Sequence, residues 1–129
     1  MARHTSVLLG LVNYSPDLSY EALHSLESEY IEGLTELLEK FGAEHLDFWG
    51  IGDGLQLEAA FAEANEESMR GLCDEFCSLL RAGCRARLAF LDKNLTWMEL
   101  FHLESGHWRQ ERLDIADTFY RRSFQGHRP

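Results

Sequence analysis

Residues 46–61, LDFWGIGDGLQLEAAF, decide the fold of this chain. They contain two apolar runs of strand length, Leu46–Ile51 and Leu55–Phe61. Between them, Gly52-Asp53-Gly54 is a turn sequence typical of a β-hairpin. A glycine-rich stretch that cradles phosphate needs a helix start after it, whereas a strand follows here. The segment therefore predicts a hairpin.

An amphipathic helix is predicted on each side of this hairpin. The first runs from Tyr20 to Phe41, with Ser15 or Ser19 as its cap, and Gly42 ends it. The second is capped by Asn65 and closed by Gly83. The outer flanks, residues 7–13 and 84–91, are predicted strands. Residues 7–13 are almost continuously apolar, which favours a central strand buried on both faces.

The predicted element order is β-α-β-β-α-β, an α+β chain. It resembles the ferredoxin-like split βαβ superfold, an antiparallel sheet with both helices on one face, which hosts many unrelated functions. An α+β sheet of another strand order is the alternative. Two further strands, 96–104 and 107–114, predict a C-terminal β-hairpin that extends the sheet. Residues 1–129 suit a single domain, with a basic tail at 117–129 that we expect to fray.

The formal net charge of −10 is unevenly distributed. Residues 1–80 hold 16 acidic and three basic residues, whereas residues 81–129 hold six and nine. Such an acidic chain is not expected to bind nucleic acid directly. No apolar run has the length of a membrane span, and three cysteines do not suit a disulfide scaffold, so a cytoplasmic location is expected.

The acidic excess forms a pattern on the first helix. Five glutamates recur at helical spacing opposite the leucines: Glu21, Glu29, Glu32, Glu36 and Glu39. This acidic face resembles the phosphate repeat of nucleic acid and would attract a basic partner. A solvated helix face is the alternative, although such a face usually interleaves lysines, and this helix contains only Lys40.

The sheet face that the helices leave uncovered is a second candidate surface. The residues assigned to it are Trp97, Phe101, Leu103, Trp108, Arg85 and Arg87. An open apolar sheet face predicts a homodimer interface, unless the aromatic residues of the C-terminal segment cover it within one chain. Arginines beside aromatic residues can also stack on single-stranded RNA, which the acidic net charge disfavours.

Two groups of metal-ligand residue types are present. His102, Glu104 and His107 would project from one face of the C-terminal hairpin, which makes them a candidate zinc site, although a cross-strand ion pair explains them as well. Cys73, Cys77 and Cys84 are better explained as small buried residues. No cofactor is predicted.

The sequence lacks the motifs of common enzyme classes, such as a P-loop, a nucleophile elbow or HExxH. It favours a non-enzymatic partner-binding protein: an acidic inhibitor or regulator, such as an immunity protein, an antitoxin or a phage-type anti-defence mimic of nucleic acid. Its partner would be a protein with a basic surface. The alternatives are a dimeric domain that binds a small molecule or metal, and an enzyme of unrecognised type.

Overall fold

A computed structural model describes residues 6–92, 94 and 98–113 of the chain. The two helices and six strands of this range are, in order, β1 (Ser6–Asn13), α1 (Tyr20–Lys40), β2 (Ala43–Gly50), β3 (Gly54–Phe61), α2 (Glu66–Leu79), β4 (Arg85–Asp92), β5 (Met98–Glu104) and β6 (His107–Leu113). The prediction of an α+β chain is confirmed. Strand β2 begins three residues earlier than predicted, and the predicted tail at 117–129 lies outside the described residues.

The six strands form one open antiparallel sheet with the order β2-β3-β1-β4-β5-β6. The predicted turn between β2 and β3 is confirmed, since Ile51 N donates to Gly54 O at 2.9 Å. Strand β1 lies in the centre, between β3 and β4. Strands β5 and β6 continue the sheet beyond β4.

The hydrophobic core lies between one face of the sheet and the two helices. Helix α1 contributes leucines and Tyr30, and α2 contributes Met69, Leu72 and Phe76. Alternate residues of the strands meet them, among them Leu57 and Leu88. Helix α1 contacts β2, whereas α2 contacts β5 and β6. Each helix therefore covers one half of the same face.

Contrary to the prediction, the opposite face of β1 is not buried. Leu8 and Val12 are fully buried under the helices, but Leu9 between them is 43% exposed. A continuous apolar run suggested burial on both sides. In the described residues both helices lie on one side, so the apolar residues of the other side form a surface instead.

Local sequence signals fix where each helix begins. Ser19 caps α1 by accepting from Ala22 N at 3.2 Å, and Asn65 caps α2 in a capping box with Ser68. Gly42 follows α1 with a φ of 97°, a conformation that glycine adopts without strain. Neither helix in the described part of the chain is long and apolar enough to cross a membrane.

The β5–β6 hairpin is fixed to the C-terminal half of α2. Gly106 N donates to Cys77 O at 3.3 Å, and the Cys77 thiol donates to His107 O at 3.3 Å. The indole Nε1 of Trp108 donates to Asp74 Oδ1 at 2.8 Å. These three bonds hold the turn of the hairpin against the helical layer.

Candidate functional site

The acidic face lies on the solvent side of α1. Buried residues of this helix, such as Leu26, Leu34 and Leu37, point to the sheet. Because a helix turns about 100° per residue, the five predicted glutamates project to the other side. All of them are exposed: Glu21, Glu29, Glu32, Glu36 and Glu39. The structure thus brings this predicted group together on one surface.

The cations in and beside the helical layer are already engaged in ion pairs. Lys40 Nζ lies 2.6 Å from Glu75 Oε1, and Arg70 Nη2 lies 2.9 Å from Glu66 Oε1. Arg81, just after α2, pairs with Glu29. Within the described residues, no ion pair joins the other four glutamates of the acidic face to a cation. The excess negative charge of this surface is therefore left uncompensated.

A groove of about 400 Å³ runs between α1 and α2 beside the acidic face. Its floor is partly apolar, because Leu79 is 39% exposed and Gly33 has no side chain to cover it. The remaining lining residues are Glu36, Leu37, Lys40, Glu75 and Ser78. The groove thus combines an apolar floor with charged walls, a combination that suits an amphipathic partner segment.

The residues predicted for the uncovered sheet face do not lie on one surface. Phe101 and Leu103 are each 1% exposed and belong to the core under α2, while Trp108 is half-buried against that core. Arg85 and Arg87 are exposed on the opposite face of the sheet. Trp97 lies outside the described residues.

The register explains this division. Leu88 pairs with Phe101 and Ala86 with Leu103, so these residues share the helix-covered face. Arg87 pairs with His102, which places both on the other face. Trp108 pairs with Leu103 and bonds to Asp74 of α2, so it shares the helix-covered face. The prediction that Phe101, Leu103 and Trp108 line the uncovered face was therefore wrong. Assigning a strand to a face requires knowing which side the helices cover, and alternation alone does not give that.

The uncovered face has a different composition from the predicted one. Its centre is apolar and crosses several strands in register: Val7, Leu9, Leu11, Ala60, Ala89, Leu91, Met98 and Leu100. Asp47 and Glu58 lie at the β2–β3 end, and Arg85 and Arg87 lie on β4. We call this surface the open sheet face.

The predicted hairpin cluster does not form a metal site. Glu104 pairs with His107 and His102 with Arg109, as the turn predicted. His102 Nε2 lies 3.7 Å from Glu111 Oε1, within ion-pair range. Among the described residues, no group of three His, Cys, Asp or Glu side chains is arranged to hold a metal ion.

The three cysteines are buried and free, as predicted. Burial raises the pKa of the Cys73 thiol, and the neighbouring Cys77 adds to this effect. Burial likewise raises the pKa of Cys77. Because the thiolate is the reactive form, the thiols of Cys73 and Cys77 are poor nucleophiles. They act as small core residues.

Glu99 is a buried carboxyl that was not among the predicted site residues. It is 2% exposed and lies on β5 among core residues. Burial raises its pKa, the nearby Glu66 adds to the shift, and Arg112, 4.0 Å away, partly opposes it. In the sequence, Glu99 stands two residues before Phe101 and four before Leu103, so it shares their face of the strand.

Comparison with known proteins gives no assignment. No family model matches the chain, and neither the curated proteins nor the solved structures contain a significant match.

Proposed function

We propose that this chain is a non-enzymatic partner-binding protein, an acidic inhibitor or regulator that binds a protein with a basic surface. The contact would be made by the acidic face of α1. An immunity protein, an antitoxin or a phage-type mimic of nucleic acid is the concrete form of this proposal. A cytoplasmic location belongs to it, since buried free cysteines suit a reducing compartment.

The uncompensated charge of the helical layer supports this proposal most directly. Glu21, Glu32, Glu36 and Glu39 share one exposed surface, while the nearest cations are paired with other carboxylates. Like charges one helical turn apart destabilise a helix by a few tenths of a kcal/mol each. Binding to a basic surface would relieve this repulsion and would speed association by electrostatic attraction.

The interhelical groove would give such a contact an apolar centre. Charge alone yields salt-sensitive and unselective attraction. Specific interfaces add a buried apolar anchor, surrounded by polar contacts. The partly exposed Leu79 beside Gly33 offers a place for that anchor, and Glu36 borders it. The partner segment would therefore be basic and amphipathic.

For the fold, we infer the ferredoxin-like split βαβ arrangement, extended by the C-terminal hairpin. The strand order supports this inference. In the order β2-β3-β1-β4, the β2–β3 hairpin lies on one side of β1 and β4 lies on the other. This superfold carries many functions, so it adds nothing to the choice of partner.

A homodimer through the open sheet face is a second proposal. The contiguous apolar residues of that face support it, because exposed apolar patches of this kind usually mark an interface. The charges at its margins are of opposite sign, with Asp47 and Glu58 at one end and Arg87 towards the other. Light scattering coupled to gel filtration measures the mass directly; a monomer at micromolar concentration would exclude this dimer.

Charge reversal on α1 tests the main proposal. We would replace Glu32, Glu36 and Glu39 by lysine, which leaves the Glu29–Arg81 pair intact. The matched control replaces Asp17, Asp53 and Glu63 by lysine, an equal change of charge at exposed residues outside α1 and the open sheet face. Both variants and the wild type would then capture proteins from an extract of the source cell at low and moderate salt.

The expected partner is basic, is retained by the wild type and by the control, and is lost from the α1 variant. Its retention by the wild type should weaken as salt rises, because salt screens exposed charges. Circular dichroism establishes that all three proteins are folded. If the α1 variant retains the same proteins as the wild type, the acidic face is only a solvated surface and the proposal fails.

A further inference from the structure

A second cavity, of about 260 Å³, lies at the other end of α1, next to the β2–β3 turn. It is formed where the chain leaves β1, since Tyr14 N donates to Asp53 O at 3.0 Å and ties that segment to the turn. The lining residues are Tyr14, Tyr20, Leu23, His24, Glu27, Gly50 and Gly52. This cavity is separate from the interhelical groove.

The phenol of Tyr14 is the buried polar group of this cavity. Tyr14 is only 7% exposed, and its ring stacks on Tyr30 with 6.1 Å between centroids. Its hydroxyl has no hydrogen-bond partner at good geometry among the described residues. Burial raises the pKa of this phenol, and the nearby Glu27 adds to the rise, both through its charge and as a hydrogen-bond acceptor close to the hydroxyl. A tyrosine hydroxyl is neutral near pH 7 even at its ordinary pKa, so this group can donate to a neighbouring carboxylate.

An unsatisfied buried hydroxyl destabilises a fold by about 1–3 kcal/mol. Phenylalanine would fill the same space without this penalty. Most buried polar groups in proteins have a partner, so an exception needs an explanation. A bound cation that holds the Glu27 carboxylate in place as the acceptor of this hydroxyl provides one.

Glu27 supplies a carboxylate at the same place. It is half-buried, unlike the five glutamates of the acidic face. Its Oε1 lies against the backbone of Gly50, where any Cβ would overlap it. Among the described residues no cation pairs with Glu27, and the lining of the cavity contains neither lysine nor arginine. The carboxylate is thus positioned in the cavity without a counter-charge.

Aromatic rings form the rim. Tyr20 packs edge-to-face on His24, with 4.4 Å between the ring centroids. Tyr20 is itself mostly exposed, so the face of its ring is accessible from solvent. A cation within about 6 Å of such a ring is attracted by its electron-rich face.

From this geometry we propose that the cavity binds an organic ammonium group. The ammonium would donate to the Glu27 carboxylate, which the Tyr14 hydroxyl holds from the buried side, and its alkyl chain would pass Leu23 and the ring of Tyr20. An ammonium has three donors and no acceptor, which suits a carboxylate that no cation of the described residues neutralises. The group can belong to a free amine or to a lysine side chain. This inference does not rest on the acidic face of α1.

The test is a titration of ¹⁵N-labelled protein followed by amide chemical shifts. The probes are 1,5-diaminopentane, its neutral counterpart 1,5-pentanediol, and a lysine blocked at its α-amino and carboxyl groups. We expect the diamine to shift the amides of His24, Gly50 and Gly52, and the diol to leave them in place. Stronger binding of the blocked lysine would identify a partner's side chain as the source, and stronger binding of the diamine a free amine.

Three variants separate this site from general attraction to an acidic protein. Glu27→Gln should weaken diamine binding by about tenfold or more, as expected for loss of a charge-assisted hydrogen bond. Glu32→Gln removes the same charge elsewhere on α1 and should change the affinity less than twofold. Tyr14→Phe should weaken binding while leaving the protein as stable as the wild type or more so.

Three results would overturn the proposal: no localised shifts with the diamine at millimolar concentration, equal shifts with the diol, or equal affinities of the Glu27→Gln and Glu32→Gln proteins. If Glu27→Gln does not fold, as its amide spectrum would show, the Tyr14→Phe variant decides alone. Unchanged diamine affinity in that variant would also refute the site.

Discussion

Replacing Gly33 by alanine should stabilise the protein. Gly33 lies in the interior of α1, and glycine there is about 1 kcal/mol less favourable than alanine, because its backbone loses more freedom on folding. Glycine is retained in helices mainly where a neighbour approaches too closely for a side chain. The structure shows no such approach at this position.

The magnitude follows from the space around Gly33. A Cβ built at Gly33 would lie 3.7 Å and 3.8 Å from the two methyl carbons of Leu79, an ordinary van der Waals separation. The added methyl group therefore meets no clash and covers part of the exposed Leu79. We expect a gain of about 1 kcal/mol in the free energy of unfolding. For a chain of this size, that corresponds to a rise of roughly 4 °C in the melting temperature.

Gly10 provides the matched control. A Cβ at Gly10 would lie 2.8 Å from Leu57 Cγ and 2.9 Å from Leu88 Cδ2, and both of these leucines are buried in the core. Gly10→Ala should therefore destabilise the protein, since overpacking of a core typically costs about 1–3 kcal/mol. The same substitution is thus expected to raise the free energy of unfolding at Gly33 and to lower it at Gly10. Urea unfolding followed by tryptophan fluorescence measures both.

A fall in the free energy of unfolding of more than a few tenths of a kcal/mol in Gly33→Ala would contradict this prediction. Leu79 would then have to pack closer to α1 than the structure shows. If the variant is more stable, it also becomes a probe of the proposed function. A methyl group that fills the groove should weaken a partner that places an apolar side chain there, despite the firmer helix.

Two further predictions concern Glu99 and the open sheet face. Because the folded state raises the pKa of Glu99, wild-type stability should fall as the pH rises from about 4.5 through this raised value. Glu99→Gln should remove that fall and be the more stable protein at pH 7. If the free energies of unfolding of the two proteins differ by the same amount at every pH from 4 to 8, this prediction is wrong. Leu9→Glu, on the open sheet face, should halve the mass seen by light scattering if two copies pair there. Ile31→Glu on α1 makes the same change at another partly exposed site and should leave the mass unchanged; a dimer that survives Leu9→Glu would rule out this interface.

Much of the fold could be predicted from local patterns. The glycines around Asp53 marked the β2–β3 turn, and the caps Ser19 and Asn65 marked the helix starts. These signals are local because they depend on the backbone conformation of a few neighbouring residues. The apolar residues of α1 then determined which of its sides meets the sheet.

The covered side of each strand could not be predicted in the same way. In β5, both alternating sets contain large apolar residues, so the pattern does not show which set meets α2. The pairing of Leu88 with Phe101 and the hydrogen bond from Trp108 to Asp74 decide the matter, and both join distant parts of the chain. The Tyr14–Glu27 cavity was missed for the same reason, since its two polar groups lie on different elements.

The placement of the proposed surfaces has one consequence for assembly. The acidic face and the groove lie on the solvent side of the helices, whereas the open sheet face lies on the other side of the sheet. Two copies that pair through their sheets would therefore direct their acidic faces away from each other. Each dimer would present two equivalent sites, and a partner with two basic surfaces would gain from binding both at once. Oligomeric state would then change the apparent affinity without altering any residue of the acidic face.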